Sequence, residues 1–383
     1  MSAAGDLVRI LDARIVSGTG GGPEKTIINS PRFLVASRYR HLVCYLHPPN
    51  DPGFAVIEQR AAEKHCPLVG IPDPGLLNWS VMRELLRLCR EHDIRVWHGH
   101  DYKTNLLGLL LKPFARFRLV TTLHGWVQHA GNLPLYYKID RWTLPFYEEV
   151  IAVSSDLHQA ALDAGVKKDR LHLIENGIDT EEFRRAAPAG SFAREGVPPG
   201  RLLIGAVGRL SKEKGFDLLI EAATRLIGEG RDIALWIAGE GDEKAALQAQ
   251  IDATGRGERI RLLGFQKNTR ALFERFDLFC LSSLREGLPN VVLEAMAMAV
   301  PVVATRCGGM EKLGTDGRDC LLVDAGHVEP LVEGLRRMIE ASALRAELAN
   351  AARRLIEERY SFKRRMDRVI AVYDRLAIPD HRR

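Results

Sequence analysis

The chain has 383 residues, 46% hydrophobic and 27% charged, with a formal net charge of +5 and a pI of about 8.9. That length exceeds one ordinary core and suits two domains of roughly 150–200 residues each, and the composition excludes disorder as the default state. The mildly basic balance falls short of a nucleic-acid binder, so no nucleic-acid partner is expected, while phosphorylated substrates or an anionic surface stay compatible with it.

In chain order, short apolar runs alternate with longer helical patterns. In the first half the strand candidates are 8–16, 41–46, 67–71, 94–98, 117–123, 149–153 and 171–174. Helical spacing lies near 23–36, 54–65, 79–92, 102–111, 133–145 and 155–164. The stretch 184–201, "RRAAPAGSFAREGVPPGR", has no sustained apolar period and reads as an interdomain linker centred on 188–200. Beyond it the strand candidates are 202–208, 233–239, 260–264, 278–283, 300–305 and 320–324, with helices between them. Apolar strands joined by helices predict parallel sheets buried on both faces, joined by right-handed crossovers. The expected organisation is two doubly wound α/β units at 1–187 and 201–360. The amphipathic, basic helix of 361–383 is expected to cross back to the first.

Six cysteines, at 44, 66, 89, 280, 307 and 320, form no CxxC pair and read as small core residues in a reducing compartment. The N-terminus, "MSAAGDLVRILDARIV", lacks the pattern of a secretory signal. The nearest approach to a spanning segment, Leu106–Leu111, is far shorter than the ~18–20 apolar residues required. A cytoplasmic protein is expected, soluble or peripheral on the inner face of the membrane. The segment 106–118 and the last helix mix apolar and basic residues, although a buried crossover is the plainer reading of the former.

Ligands of open α/β sheets bind beyond the carboxyl ends of the strands, so the residues following each strand matter most. After the first comes Ser17–Lys25, whose Gly20, Gly21 and Gly22 precede a helix start at Pro23. This is either an anion or sugar contact or a flexible turn. After 94–98 comes "WHGHD". His98 and His100 should face one side, and with Asp101 they suggest a metal, but no further ligands are evident and cleft-lining polar residues fit better. After 117–123, His124 in "HGW" could bond a sugar hydroxyl, act in proton transfer, or simply cap. "VSSD" at 153–156 reads as a helix cap and Asn176–Gly177 as a turn.

The second half is more informative. "GRLSKEKGFD", Gly208–Asp217, sets Arg209, Lys212 and Lys214 at a strand end. A guanidinium fork and an ammonium suit a diphosphate, although such a run is often only a solvated face. "SLREGLPNVVLEAMA", Ser283–Ala297, sets Glu286 in a loop, starts a helix at Pro289 and Asn290, and turns Glu294 to the side of Asn290. The carboxylate pair admits glycoside hydrolysis as well, and a plain helix cap.

At "REGLPNVVLEAMA" the pattern of Glu, seven residues, Glu resembles the retaining nucleotide-sugar glycosyltransferases of family 4. "GRLSKEKGFD", "GGPEK", "LHGW", "ENGID", "AGEGDE" and "LLGF" follow in that family's order. The resemblance implies a GT-B fold, two Rossmann-like domains facing across a cleft. It implies a UDP- or GDP-sugar donor, and a glycan or lipid-linked acceptor such as surface-polysaccharide assembly provides. By resemblance, Arg209 and Lys214 hold the donor diphosphate, Glu286 the donor sugar and Glu294 the ribose. Gly21 and Gly22 lie against the diphosphate, and His124 lies near the sugar. Phe265 borders the base, and Gly208, Gly287, Leu288, Pro289 and Asn290 complete the donor site. No metal or cofactor is implied, and no Asp-x-Asp follows any strand. Two segments depart from the pattern: "CGGMEKLGTDGRDC" after 300–305, where Glu311 takes the acidic place only approximately, and 38–80, which names no acceptor. Rival readings are a nucleotide-sugar epimerase on the same architecture and a catalytically silent sugar-nucleotide-binding subunit.

Overall fold

The computed structural model describes residues 7–75, 78–125, 133–187 and 191–378. The chain forms two compact units, Met1–Asn176 with Arg365–Arg383, and Gly177–Arg364.

The first unit is built on seven parallel strands: β1 Val8–Ile15, β2 Tyr39–His47, β3 Leu68–Pro72, β4 Ile94–Gly99, β5 Arg118–Leu123, β6 Glu149–Ala152 and β7 Leu171–Leu173, ordered β3-β2-β1-β4-β5-β6-β7. Successive side chains leave a strand on opposite faces. One face, with Leu11, Ala13, Cys44, Trp97 and Leu119, packs on Leu85 and Leu88 of helix Trp79–Glu91 and on Leu107 and Leu111 of helix Tyr102–Leu111. On the other face Val43 and Tyr45 meet Ile27 and Ile28 of helix Gly22–Asn29, and Asp12 and His98 meet the helix Phe362–Asp374. The helix expected over 23–36 ends at Asn29. A tight turn at Ser30–Phe33, opened by Pro31, replaces its last residues because proline lacks the N–H that would continue it.

The second unit holds six parallel strands: β8 Leu202–Val207, β9 Ile233–Ala238, β10 Ile260–Leu262, β11 Leu278–Leu281, β12 Val302–Thr305 and β13 Leu321–Val323, ordered β10-β9-β8-β11-β12-β13. Its strands are apolar on both faces. Leu203, Trp236, Phe279 and Val302 enter one core layer, whereas Ile204, Leu235, Cys280 and Val303 enter the other. This two-sided burial is why these segments read as continuous apolar runs. All six cysteines are buried, and burial raises each thiol above its ordinary value.

The division between units falls at Asn176/Gly177, ahead of the expected end at 187. Residues just past it are bonded into the second unit. Ile178 donates its N–H to Tyr360 and accepts one from Phe362 (2.8 and 2.7 Å), and Arg185 reaches the carbonyls of Phe273 and Phe276. Within the expected linker Arg194 makes a two-pronged bond to Asp277 (2.7 and 2.8 Å), so this charged stretch is packed against the second unit. Pro188, Ala189 and Gly190 lie outside the described residues. The Ile178 bridge also keeps residues 361–364 with the second unit, so the return to the first begins at Arg365.

Candidate functional site

Strand order reverses between β8 and β11, and at such a switch point adjacent strands send their connections to opposite faces and leave a crevice at the carboxyl edge. The loops flanking it are 208–215 and 282–289, which carry Arg209, Lys214, Glu286 and the start of helix Asn290–Ala297. Lys214 Nζ lies 2.5 Å from Glu286 Oε1, and Ser283 Oγ donates to the same oxygen at 2.7 Å. Both charged groups are mostly shielded, with side-chain exposures of 19% and 13%. Arg209 is exposed and bonds Glu213 at 2.9 Å, an i,i+4 contact worth little in water.

Backbone contacts fix these loops. Ser282 Oγ bonds the Lys214 carbonyl, and the Leu284 N–H bonds that of Glu213. Gly215 is left-handed (φ +59°), and a Cβ there would stand 2.4 Å from the Ser282 carbonyl oxygen. Beneath the Glu286 loop, Gly309 donates its N–H to the Glu286 carbonyl, and a Cβ on Gly309 would fall 1.5 Å from the Gly287 carbonyl oxygen. The double glycine of the departing "CGGMEK" segment thus supports the Glu286 loop directly. Glu311, in the short helix Gly309–Leu313, follows one turn on.

The remaining second-unit residues separate by depth. Gly208 directly follows β8 and donates to the Ala238 carbonyl (3.0 Å). Gly287 and Asn290 are exposed, Leu288 is half-buried, and Pro289 is buried at the helix cap. Glu294 is buried, one turn below Asn290. Phe265, beyond β10, is 69% exposed, unusual for a large aromatic and suited to cover a flat ligand group.

In the first unit, Gly21 and Gly22 open helix Gly22–Asn29, but the Gly21 N–H is committed to Glu24 Oε2 at 2.6 Å. Glu24 in turn pairs with Arg14 (2.6 Å). Burial would raise its carboxyl, yet Arg14 outweighs this and holds it below the ordinary range. The glycine loop is therefore braced by a carboxylate of its own. Asp101 does not join the histidines: it caps helix Tyr102–Leu111, accepting from Lys103 and Thr104, and also accepts from the Ile15 N–H. The carboxylate beside the histidines is Asp12 of β1. His100 Nε2 lies 2.8 Å from Asp12 Oδ1, His41 Nδ1 reaches its other oxygen, and His98 stacks on His100 at 4.3 Å. Sequence reasoning missed Asp12; its one signal was an aspartate inside the apolar strand "VRILDARI".

Asp12, His98 and His100 present ligand atoms within 4.8 Å of one another, close enough to surround a metal ion. Their ring nitrogens are already in use, however. His98 bonds Tyr373 Oη (2.7 Å) and Thr122 Oγ1 (2.8 Å), and His100 bonds Asp12 and His124. A hydrogen-bonded network is the better description. Burial would raise the Asp12 carboxyl, but His41 and His100 together hold it far below its ordinary range. Burial also lowers His98, His100 and His124, which are therefore neutral near pH 7. His124, at the end of β5, is half-buried; its neighbour Trp126 lies outside the described residues.

A groove of about 640 Å³ lies at the opposite, amino edge of the second sheet, lined by Arg185, Arg194, Arg201, Asp277 and Arg345. Each of these arginines is engaged by an aspartate or by backbone carbonyls, a structural rather than a ligand-binding arrangement.

Two parallel α/β units, the second carrying a basic and acidic site at its switch point, define a GT-B glycosyltransferase architecture. HepE from Anabaena in complex with UDP superposes with a TM-score of 0.77 over 96% of this chain and 100% of that one, at 21% identity; its UDP-glucose complex gives 0.75 at 22%. The glycosyl transferases group 1 model matches residues 191–355, and the glycosyltransferase family 4 model matches residues 20–182. Among curated relatives, the lipopolysaccharide core biosynthesis glycosyltransferase LpsE of Rhizobium meliloti is 30% identical over 67% of this chain and 76% of its own length. The alpha-D-kanosaminyltransferase of Streptomyces kanamyceticus is 31% identical over 88% and 95%. The chain belongs to the group 1, family 4 glycosyltransferases.

Proposed function

We propose that the protein transfers a sugar, with retention of configuration and without a metal, from a UDP- or GDP-sugar to a glycan or lipid-linked acceptor. The observation that carries this reading is the juxtaposition of Lys214 and Glu286 at the switch point, with the exposed Arg209 on the same loop. Relatives named for lipopolysaccharide core biosynthesis and the UDP and UDP-glucose complexes of a structural neighbour support the donor and acceptor classes.

In this mechanism Lys214 and Arg209 take up the charge that grows on the departing diphosphate, the work a metal does elsewhere. Glu286, restrained by Ser283 and Lys214, accepts a hydrogen bond from the donor sugar. Glu294 serves the ribose and Phe265 the base. The C1–O bond to phosphate breaks as the acceptor hydroxyl approaches the same face, and its proton passes to the leaving phosphate oxygen. Gly22 and His124 keep the roles that the family resemblance implies for them. A metal-free thermal-shift panel of UDP, GDP, ADP and their sugars tests this. Ligand at about 100 times Kd should stabilise by roughly 2.7 kcal/mol. A shift with one nucleotide, lost in Arg209→Ala, is expected. No shift with any nucleotide in a folded sample points to a silent protein. Donor consumed without acceptor, releasing an epimer, points to the epimerase.

The same reading includes peripheral contact with an anionic membrane. Trp142 (61% exposed) and Phe146 (55%) stand 5.3 Å apart, and Leu110 and Phe114 are exposed on the neighbouring helical segment, with Arg116 and Arg141 exposed beside them. Asn105–Asp140 and Lys112–Glu148 bonds tie the two segments together. Aromatic and basic side chains together suit an interface with acidic headgroups. No helix among the described residues is long and apolar enough to cross a membrane. Co-sedimentation with phosphatidylglycerol vesicles, weakened in Trp142→Ala/Phe146→Ala, is expected; no binding at low salt removes the idea.

A further inference from the structure

The buried network of the first unit has a direction. Asp12 Oδ1 lies 2.8 Å from His100 Nε2, and His100 Nδ1 lies 3.0 Å from His124 Nε2. An ionised carboxylate only accepts, so His100 Nε2 must carry the hydrogen. A neutral imidazole carries one hydrogen, which leaves His100 Nδ1 as an acceptor. The only ring hydrogen that can fill that contact is on His124 Nε2. His124 Nδ1 is then bare.

We propose that Asp12 and His100 are positioning residues that hold His124 in a single tautomer, with Nε2–H turned inward and Nδ1 kept as a hydrogen-bond acceptor. The surroundings reinforce this. Arg14 of β1 fixes the His100 carbonyl (2.8 Å), and the His100 N–H bonds the Ala13 carbonyl, so the ring hangs from two strands. His98 of β4, held by Thr122 of β5 and by Tyr373 of the returning helix, stacks against His100 and limits its rotation. Asp12 is held from its other side by His41 of β2. Arg365, buried on the returning helix, adds positive charge near the network; burial pushes it down to about 10, so it stays charged. Burial disfavours a proton on His124, and the charges of Arg14 and Arg365 act in the same sense.

The role in transfer rests on the reading of His124 beside the donor sugar. A bare Nδ1 accepts a hydrogen bond from a sugar hydroxyl, whereas the other tautomer would offer a donor and turn the same hydroxyl round.

Nitrogen-15 NMR of the full chain with labelled histidine tests the tautomer without any substrate. The wild-type protein should show His124 as Nε2–H with an unprotonated Nδ1 from pH 6 to 8. A protonated Nδ1 on neutral His124 overturns the proposal. In His100→Leu the lock is removed, and His124 should show mixed tautomers and titrate. His100→Gln, which retains one donor and one acceptor, should restore the single tautomer. If folded His100→Leu shows an unchanged His124, the proposal is wrong. If that variant does not fold, the wild-type spectrum still decides. In transfer assays His100→Leu should lose about tenfold in kcat/KM, the worth of one hydrogen bond, with a new acid limb near pH 6.5. A changed tautomer with unchanged turnover upholds the lock and instead removes His124 from the site.

Discussion

The two units use polar groups in opposite ways. In the first, Asp12, His41, His98 and His100 are buried in the sheet layer and lie against one another. In the second, both sheet faces are apolar and the charges stand at the carboxyl rim, in loops held by glycine and backbone bonds. A buried network fixes geometry and is expensive to disturb, because every member left behind is an unpaired polar group. An exposed rim charge such as Arg209 contributes little to folding and is available to a ligand. Mutations in the two units should therefore separate stability from turnover.

The sharpest test of that separation is Arg209→Ala, which removes an exposed charge. Turnover should fall by about 10²–10³-fold, as when one preorganised charge-stabilising group is removed, while the melting temperature changes little. A large loss of stability with residual activity would reverse the comparison. In the first unit the test is pH. His98 and His100 have folded values below their unfolded one, so the native state takes up fewer protons than the unfolded chain. Their contribution is present in full above pH ~6.5 and declines below it, by about 1.4 kcal/mol per pH unit for each histidine that stays neutral. Melting curves between pH 7.5 and 5 should show this decline, and His98→Gln should make it shallower; a flat profile would mean that the network is not neutral as described. The smallest effect is expected for Phe265→Ala, which should raise the donor KM by about fivefold or more through lost stacking on the base while leaving kcat nearly unchanged. A fall in kcat alone would place Phe265 elsewhere in the reaction.

The same contrast explains what could be read from the chain before its structure. The strand runs of 202–208, 233–239 and 278–283 were legible because burial on both faces leaves an unbroken apolar signature. The placement of Arg209, Lys214 and Glu286 was legible because charged residues that follow such a strand emerge at its carboxyl end. The network of the first unit was not. Asp12, His41, His98 and Tyr373 come from segments far apart in sequence, and one polar residue in an apolar strand does not announce its partners. Arg185 and Arg194 read as linker charge, since a sequence does not show that carbonyls and Asp277 await them. The pairing of Asp101 with the histidines failed for a local reason: an aspartate before a helix serves the backbone N–H groups first.

Gly309 lies far from Glu286 in sequence, yet one methyl group there would collide with the Gly287 carbonyl and push the Glu286 loop off its seat. Loss of catalysis in a lineage of such proteins would then require no change to any arginine, lysine or glutamate. A descendant could keep every recognisable motif residue, fold normally and transfer nothing, and only the packing under that loop would reveal it.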